Sequence, residues 1–353
     1  MLKTDYLIVG QGVAGSCLAL KLLQENKTFR VIDHFQHNAS CVAVGVYNPV
    51  VLKRFALIWQ AQHQLDLLKV YFEKFEQILH GSYLHPLPTF RILSDENEIH
   101  AWRLKAESDG LEPFLNPTIF QDVPENFKMS FGYAEVKQTG RVDLGNCLKD
   151  FRKYLENNNL LIKEKFHHNL LKIKEKGISY QNIEAEHIVF CEGFGIKENP
   201  YFNYLPIIGV KGEVLKIKTE TPVPPAIWKA STFLMPLEGN FAFTASTYDR
   251  DDLTPVPSEK GKKEILENLE KFYKGSYEVV DHLASVRPTV RDRRPVIGTH
   301  PLYQNVHLLN GMGTRGTLLG PAMAEELYNH LELGKPLDKE ADLRRFTQKF
   351  FQV

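Results

Sequence analysis

Cysteine is scarce. Cys17, Cys41, Cys147 and Cys191 are the only four in 353 residues, and no two form a C-x-x-C pair. That spacing argues against a zinc site or a disulfide framework and suits reduced thiols. Net charge is also lacking, since Lys plus Arg and Asp plus Glu both number 43. No global field draws the molecule to nucleic acid or an anionic membrane, so DNA is not expected as a partner. Long apolar runs are missing too. The longest, residues 41–52, is interrupted by Asn48-Pro49 and is too short to cross a bilayer, so no transmembrane segment is expected. The chain has no internal repeat and no low-complexity tract, and none of its 13 histidines is spaced as a base or metal ligand. No metal site is expected. The N-terminus runs through Lys3 and Asp5 into an apolar strand without a cleavable signal pattern, which predicts a cytoplasmic location.

What is present is the balance of an ordinary globular protein, 43% apolar and 24% charged residues, in a length that suits two packed lobes. Residues 6–9, Tyr-Leu-Ile-Val, predict a buried parallel strand, and residues 13–24 predict a helix. Between them lies Gly10-Gln11-Gly12-Val13-Ala14-Gly15. Gly10 permits the tight turn, Gly12 lets backbone approach a pyrophosphate, and Gly15 allows close packing of helix on strand. A second strand, residues 28–32, ends at Asp33, 18 positions after Gly15, where a carboxylate can accept hydrogen bonds from a ribose. Strand, turn, helix, strand and acid stand in the order of a dinucleotide fold. That fingerprint fits FAD and NAD equally.

Further segments favour FAD. Residues 38–49, which include Ser40, are small and poor in alternation and predict a loop laid over a ligand. Residues 56–80 predict a long amphipathic helix. A hairpin and strand over 177–191 end in Cys191-Glu192-Gly193. Late in the chain, Arg287-Pro288-Thr289-Val290-Arg291-Asp292-Arg293-Arg294-Pro295-Val296-Ile297-Gly298 precedes a strand at 306–309, the loop Asn310-Gly311-Met312-Gly313-Thr314-Arg315-Gly316 and a helix. On these motifs, in this order from Asp5 to Leu331, the chain resembles the D-amino-acid oxidase type of FAD-dependent oxidoreductase. Independently of the resemblance, glycines 311, 313 and 316 let backbone amides approach a flat ring, and the following helix aims about half a positive charge at it.

The resemblance implies an α/β architecture in which a Rossmann-type FAD-binding lobe, residues 1–82, 140–205 and 285–353, is interleaved with an α+β substrate lobe, residues 83–139 and 206–284. Short alternating segments at 89–93, 131–136, 212–218 and 241–247 predict the antiparallel sheet of that second lobe. The expected FAD contacts are Gly10, Gly12, Val13, Ala14, Gly15, Asp33, His34, Ser40, Leu170, Cys191, Gly193 and the run Gly311, Met312, Gly313, Thr314, Arg315, Gly316. Met312 stands where sarcosine oxidases carry the cysteine that bonds to the flavin, so a non-covalent FAD is implied.

The resemblance also nominates chemistry. Arg287, in the R-P motif, either grips a substrate carboxylate with its planar fork or pairs with a structural acid such as Asp292. Arg54 either serves the site after the flexible loop or is a solvent-facing charge at a helix start. Arg315 either contacts flavin or substrate or anchors its loop. Tyr248 and Lys211 either line the cavity or are structural. The expected reaction is oxidation of a C–N bond in a small carboxylated primary or secondary amine, by hydride transfer to flavin N5. Two alternatives stand beside it. One is an oxidase for carboxymethylaminomethyl-uridine of tRNA, suggested by the 39–40, 47–49 and 310–316 stretches but disfavoured by the neutral charge. The other is a flavin dehydrogenase that hands electrons to a quinone or carrier.

Overall fold

The computed structural model describes residues 1–35 and 39–347. Asn38, the first residue of the expected loop, and residues 348–353 of the expected FAD lobe lie outside the described residues.

The strand Leu2–Val9 forms the middle of the first sheet, with Phe29–Ile32 parallel on one side and Ile183–Phe190 parallel on the other. Leu161–Ile162 extends one edge, and Val306–Asn310 lies parallel beside Ile183–Phe190. Leu7, Ile8, Val31, Ile188 and Val189 are all fully buried. Both faces of these strands are covered, which is why they read as unbroken apolar runs. On one face Ile8, Val31 and Val189 pack beneath the helices Val13–Gln24, Ala61–Leu79, Leu144–Asn157 and Gly316–Leu333. On the other, Leu7, Val9 and Phe190 meet Tyr180, Ile196 and Phe202. The first and last of those helices approach closely because Gly320 faces Val13, where an added Cβ would stand 2.9 Å from Cγ2.

The second sheet has eight strands. Its order is Tyr277–Val290, Ile207–Thr219, Phe241–Ala245, Phe233–Pro236, Ile227–Lys229, Thr89–Ile92, Tyr133–Val136 and Leu115–Phe120. All neighbours are antiparallel except Ile227–Lys229 with Thr89–Ile92. Its outer face buries Leu215, Trp228 and Leu234 against Ile265 and Leu269 of the helix Glu259–Leu269. Its inner face carries Val214, Phe233 and Ala245 over the first sheet's ligand edge. This is the α/β arrangement expected from the sequence. The strand Tyr277–Val290 runs unbroken through residue 285, so Arg287 and Pro288 stand at the end of the antiparallel sheet.

The long helix starts at Ala61 rather than at residue 56. Residues Val50–Val51 and Ala56–Leu57 pair as a small hairpin, and Gln60 takes a left-handed conformation (φ 50°) that separates hairpin from helix.

Candidate active site

A single cleft of about 530 Å³ runs from the glycine turn to the inner face of the second sheet. Its first end is built by the turn. Gly10 has φ +100°, and a Cβ there would lie 2.5 Å from the Cys191 carbonyl oxygen, so only glycine lets the ends of two adjacent strands meet. Gly15 is held still tighter, its Cβ position 2.0 Å from the Gly10 carbonyl oxygen. Gly12 differs: the one atom near its Cβ position is Ser40 Oγ at 3.2 Å, and its open side faces the cleft. Asp33 accepts hydrogen bonds from the backbone N–H of Gln11 (2.7 Å) and Phe35 (2.8 Å), which fixes its carboxylate at the strand end. The buried Gln11 side chain ties the turn to the helix Leu144–Asn157 through the Leu148 carbonyl and Arg152. Ser40 Oγ accepts from Val13 N–H at 3.0 Å.

At the other end, Met312, Gly313, Thr314, Gly316 and Thr317 line the cleft, and Asn310 bonds to the Gly193 carbonyl at 2.9 Å, joining the two late loops. Two helix N-termini therefore open into one cavity, and neither N-cap residue contributes a capping side chain. Each directs about half a positive charge into it. This donor set fits FAD: amide donors at the turn for a pyrophosphate, Asp33 for a ribose, and a second helix end where a reduced flavin concentrates negative charge.

Beside that second end lies Arg287. Burial disfavours its charge, and among the described residues it has no carboxylate partner; Nη1 donates only to the Thr247 carbonyl, at 3.3 Å. Its guanidinium lies over Gly212, where a Cβ would come within 1.9 Å of Nη2. Asp292, the alternative partner, instead accepts from Arg345 at 3.2 Å. A partly buried guanidinium that lines a cavity without a carboxylate beside it is well placed for an anionic ligand.

The cleft gathers most, though not all, of the expected residues. Gly10, Gly12, Val13, Ala14, Asp33, His34, Ser40, Cys191, Gly193, Met312, Gly313, Thr314, Gly316 and Arg287 line it. Gly15 and Gly311 act behind it as backbone, Gly311 with φ +77°. Leu170 does not line the cleft: it ends a 3-10 turn and is exposed, whereas Phe166 and His168 face inward, His168 bonded to Glu192 at 3.0 Å. Arg54 lies exposed in the turn of the small hairpin and does not line the cleft. Arg315 does not line the cleft; burial first, then repulsion from the nearby Arg293 and Arg294, disfavours its charge. Tyr248 is 49% exposed under the Arg250 guanidinium and opens onto a neighbouring cavity, although it is close enough to Arg287 to favour the arginine's charge. Lys211 is fully buried and does not line the cleft. Sequence reasoning missed Gly212, the Thr247 carbonyl, Phe166 and the His168–Glu192 pair.

Comparison with known proteins agrees with this geometry. The profile described as FAD dependent oxidoreductase matches residues 5–329. The chain is 32% identical over 159 residues to the tRNA 5-methylaminomethyl-2-thiouridine biosynthesis bifunctional protein MnmC of Idiomarina loihiensis. That match takes in 42% of the chain and spans about a quarter (25%) of the bifunctional protein's length. Glycine oxidase of Bacillus subtilis is 21% identical over 95% of both chains. Among solved structures, glycine oxidase from Geobacillus kaustophilus superposes with a TM-score of 0.79 at 17% identity, covering 98% of each chain. Iminodiacetate oxidase from a Chelativorans species gives 0.78 at 16% identity, over 97% of this chain and 98% of that one. These structural likenesses show a shared fold. Among the described residues no helix is long and apolar enough to cross a membrane.

Proposed function

Because the chain belongs to the FAD dependent oxidoreductase family, we propose that this FAD-dependent oxidoreductase oxidises the C–N bond of a small carboxylated primary or secondary amine, in the cytoplasm and with FAD held non-covalently. In this reading residues 1–82, 140–205 and 285–353 hold the cofactor, and 83–139 and 206–284 form the substrate lobe. FAD, when bound, supplies a two-electron acceptor for hydride from the carbon beside nitrogen. The chain's own residues do the rest. Arg287 binds the substrate carboxylate as a fork and so orients the adjacent carbon. Phe233, half-buried on the inner face of the second sheet, lines the same cleft and covers the reacting bond with apolar surface. The N-terminus of the helix Gly316–Leu333 stabilises negative charge at the ring end. The amine loses hydride and a proton to become an imine, which water hydrolyses.

The observation that carries this reading is the partly buried Arg287, with no carboxylate partner among the described residues, in the same cleft as the two helix ends. Arg287→Ala is expected to raise KM for a carboxylated amine by about 10- to 150-fold, the worth of a charge-assisted bond. An unchanged KM would remove the role. A second reading, oxidation of a carboxymethylaminomethyl-uridine in tRNA, is favoured by the partial likeness to the bifunctional protein and by the grouping of Arg293, Arg294 and Arg315 beside the last glycine loop. Bleaching by modified tRNA at concentrations where free amines do nothing would select it.

A further inference from the structure

Lys211 is the one lysine among the largest fully buried side chains, 1% exposed, and the chemistry assigned above makes no use of it. A lysine is buried at a cost of several kcal/mol unless its ammonium is paired. Here Nζ donates to the Asp252 carboxylate and the Val256 carbonyl, with Glu213 Oε1 3.6 Å away. All but Glu213 belong to segment 247–258, between the strand Phe241–Ala245 and the helix Glu259–Leu269. The main chain repeats the attachment: Lys211 N–H donates to the Asp249 carbonyl (2.7 Å), and Asp249 N–H donates back (3.1 Å). Two residues on, Glu213 N–H donates to Thr247 Oγ1 (3.0 Å). The Glu213 carboxylate, equally buried, accepts from Ser258 N–H (2.9 Å), Ser258 Oγ (2.7 Å) and His282 Nε2 (2.7 Å). Segment 247–258 is thus fastened at both ends by two residues of one strand.

Those two residues flank Gly212. Alternation along the strand puts Lys211 and Glu213 on its outer face and Gly212 on the inner face, beneath the Arg287 guanidinium. The fastened segment returns to the inner side in two places. Its Thr247 carbonyl is the hydrogen-bond acceptor of Arg287, and its Leu253 and Pro255 form part of the cleft wall. We infer that Lys211 and Glu213 are positioning residues: acting through segment 247–258, they hold Arg287 and the wall beside it in the geometry that receives the substrate carboxylate. The inference rests on the carboxylate-binding reading of Arg287. Neither residue touches substrate; each fixes the group that does.

The test uses the FAD-loaded, full-length protein and acetate as the probe, titrated into the oxidised enzyme and read as a visible difference spectrum, alongside KM and kcat for a carboxylated amine. Lys211→Met is expected to weaken acetate binding and raise KM about tenfold, with kcat changed by less than about threefold and an unaltered resting flavin spectrum. Lys211→Arg restores most of the loss. In an Arg287→Ala background, Lys211→Met adds less than about twofold, because the two act through one contact. Asp252→Asn, on the solvent side of the same pair, gives a smaller loss of the same kind and decides the matter if Lys211→Met loses its flavin. Acetate binding unchanged in Lys211→Met or in Asp252→Asn overturns the inference, as do losses that multiply in the double variant. Unchanged acetate binding in Arg287→Ala alone overturns the carboxylate reading itself, and the clamp with it.

Discussion

Gly212→Ala tests the seat of Arg287 with a single methyl group. The added Cβ would stand 1.9 Å from Nη2, 2.0 Å from Cζ and 2.2 Å from Nη1 of Arg287. Ordinary contact begins near 3.4 Å, so the guanidinium has to retreat by 1.5 Å, the difference between 3.4 and 1.9 Å. The atoms displaced are the far end of a flexible side chain, so the fold absorbs the change at a cost of about 1 kcal/mol, the low end of overpacking. A fork moved that far no longer makes both hydrogen bonds to a carboxylate, which forfeits about 1.5 to 3 kcal/mol. KM for a carboxylated amine should therefore rise about 10- to 150-fold while kcat stays within a few-fold, the pattern of lost uniform binding. Steady-state kinetics, with flavin content and thermal unfolding as controls, give the answer. A folded, flavin-loaded Gly212→Ala protein with wild-type KM would refute both the seat and the role of Arg287.

Gly10→Ala should behave differently from Gly212→Ala, because its Cβ meets backbone, the Cys191 carbonyl oxygen at 2.5 Å, at a φ of +100°. Nothing flexible can give way, and the expected outcome is protein purified without flavin and with a lowered Tm; normal flavin content would contradict the geometry of the turn. A pH effect follows from the back of the first sheet. His307 is buried, bonded to His187 at 2.9 Å and to Thr299 at 2.9 Å, and burial first, then the neighbouring His187, hold its affinity for protons well below the usual histidine range. Above the ordinary value of 6.5 the ring is neutral folded or unfolded and stability is indifferent to it. Below 6.5 the unfolded chain takes up a proton that the fold refuses, so stability falls as pH falls, by at most about 1.4 kcal/mol per pH unit, until the lowered folded value is reached. Tm measured from pH 7.5 to 5.5 should decline more steeply in the wild type than in His307→Asn; parallel declines would dismiss the assignment.

Local signals were legible in the sequence, and long-range register was not. The glycine turn, its flanking strands and the helix Val13–Gln24 follow from apolar runs and glycine placement within one βαβ unit, and the helix bounds agree to the residue. The strands of the second sheet were visible as alternation at 89–93, 131–136, 212–218 and 241–247 because one of their faces is core. Arg287 was found through its motif, whereas its seat was not. Gly212 lies 75 positions away and meets it only through the antiparallel register that pairs Val210 with Arg287 and Gly212 with Ser285. Leu170 was expected only from the resemblance; in the 3-10 turn His168–Leu170 the leucine is exposed and it is the histidine that lines the cleft. The apolar periodicity of the long helix runs five residues too early, from 56 rather than Ala61, through a hairpin whose two-residue strands are too short to show a period of their own.

The most direct test of the whole account is anaerobic titration of the purified, oxidised protein with glycine, sarcosine, proline, D-amino acids and modified tRNA, followed by the visible flavin bands. The account predicts a yellow protein whose flavin is released intact by acid, and bleaching by at least one carboxylated amine that weakens sharply in Arg287→Ala. A colourless protein that takes up no added FAD, or a flavoprotein that no amine in the panel bleaches, would contradict it.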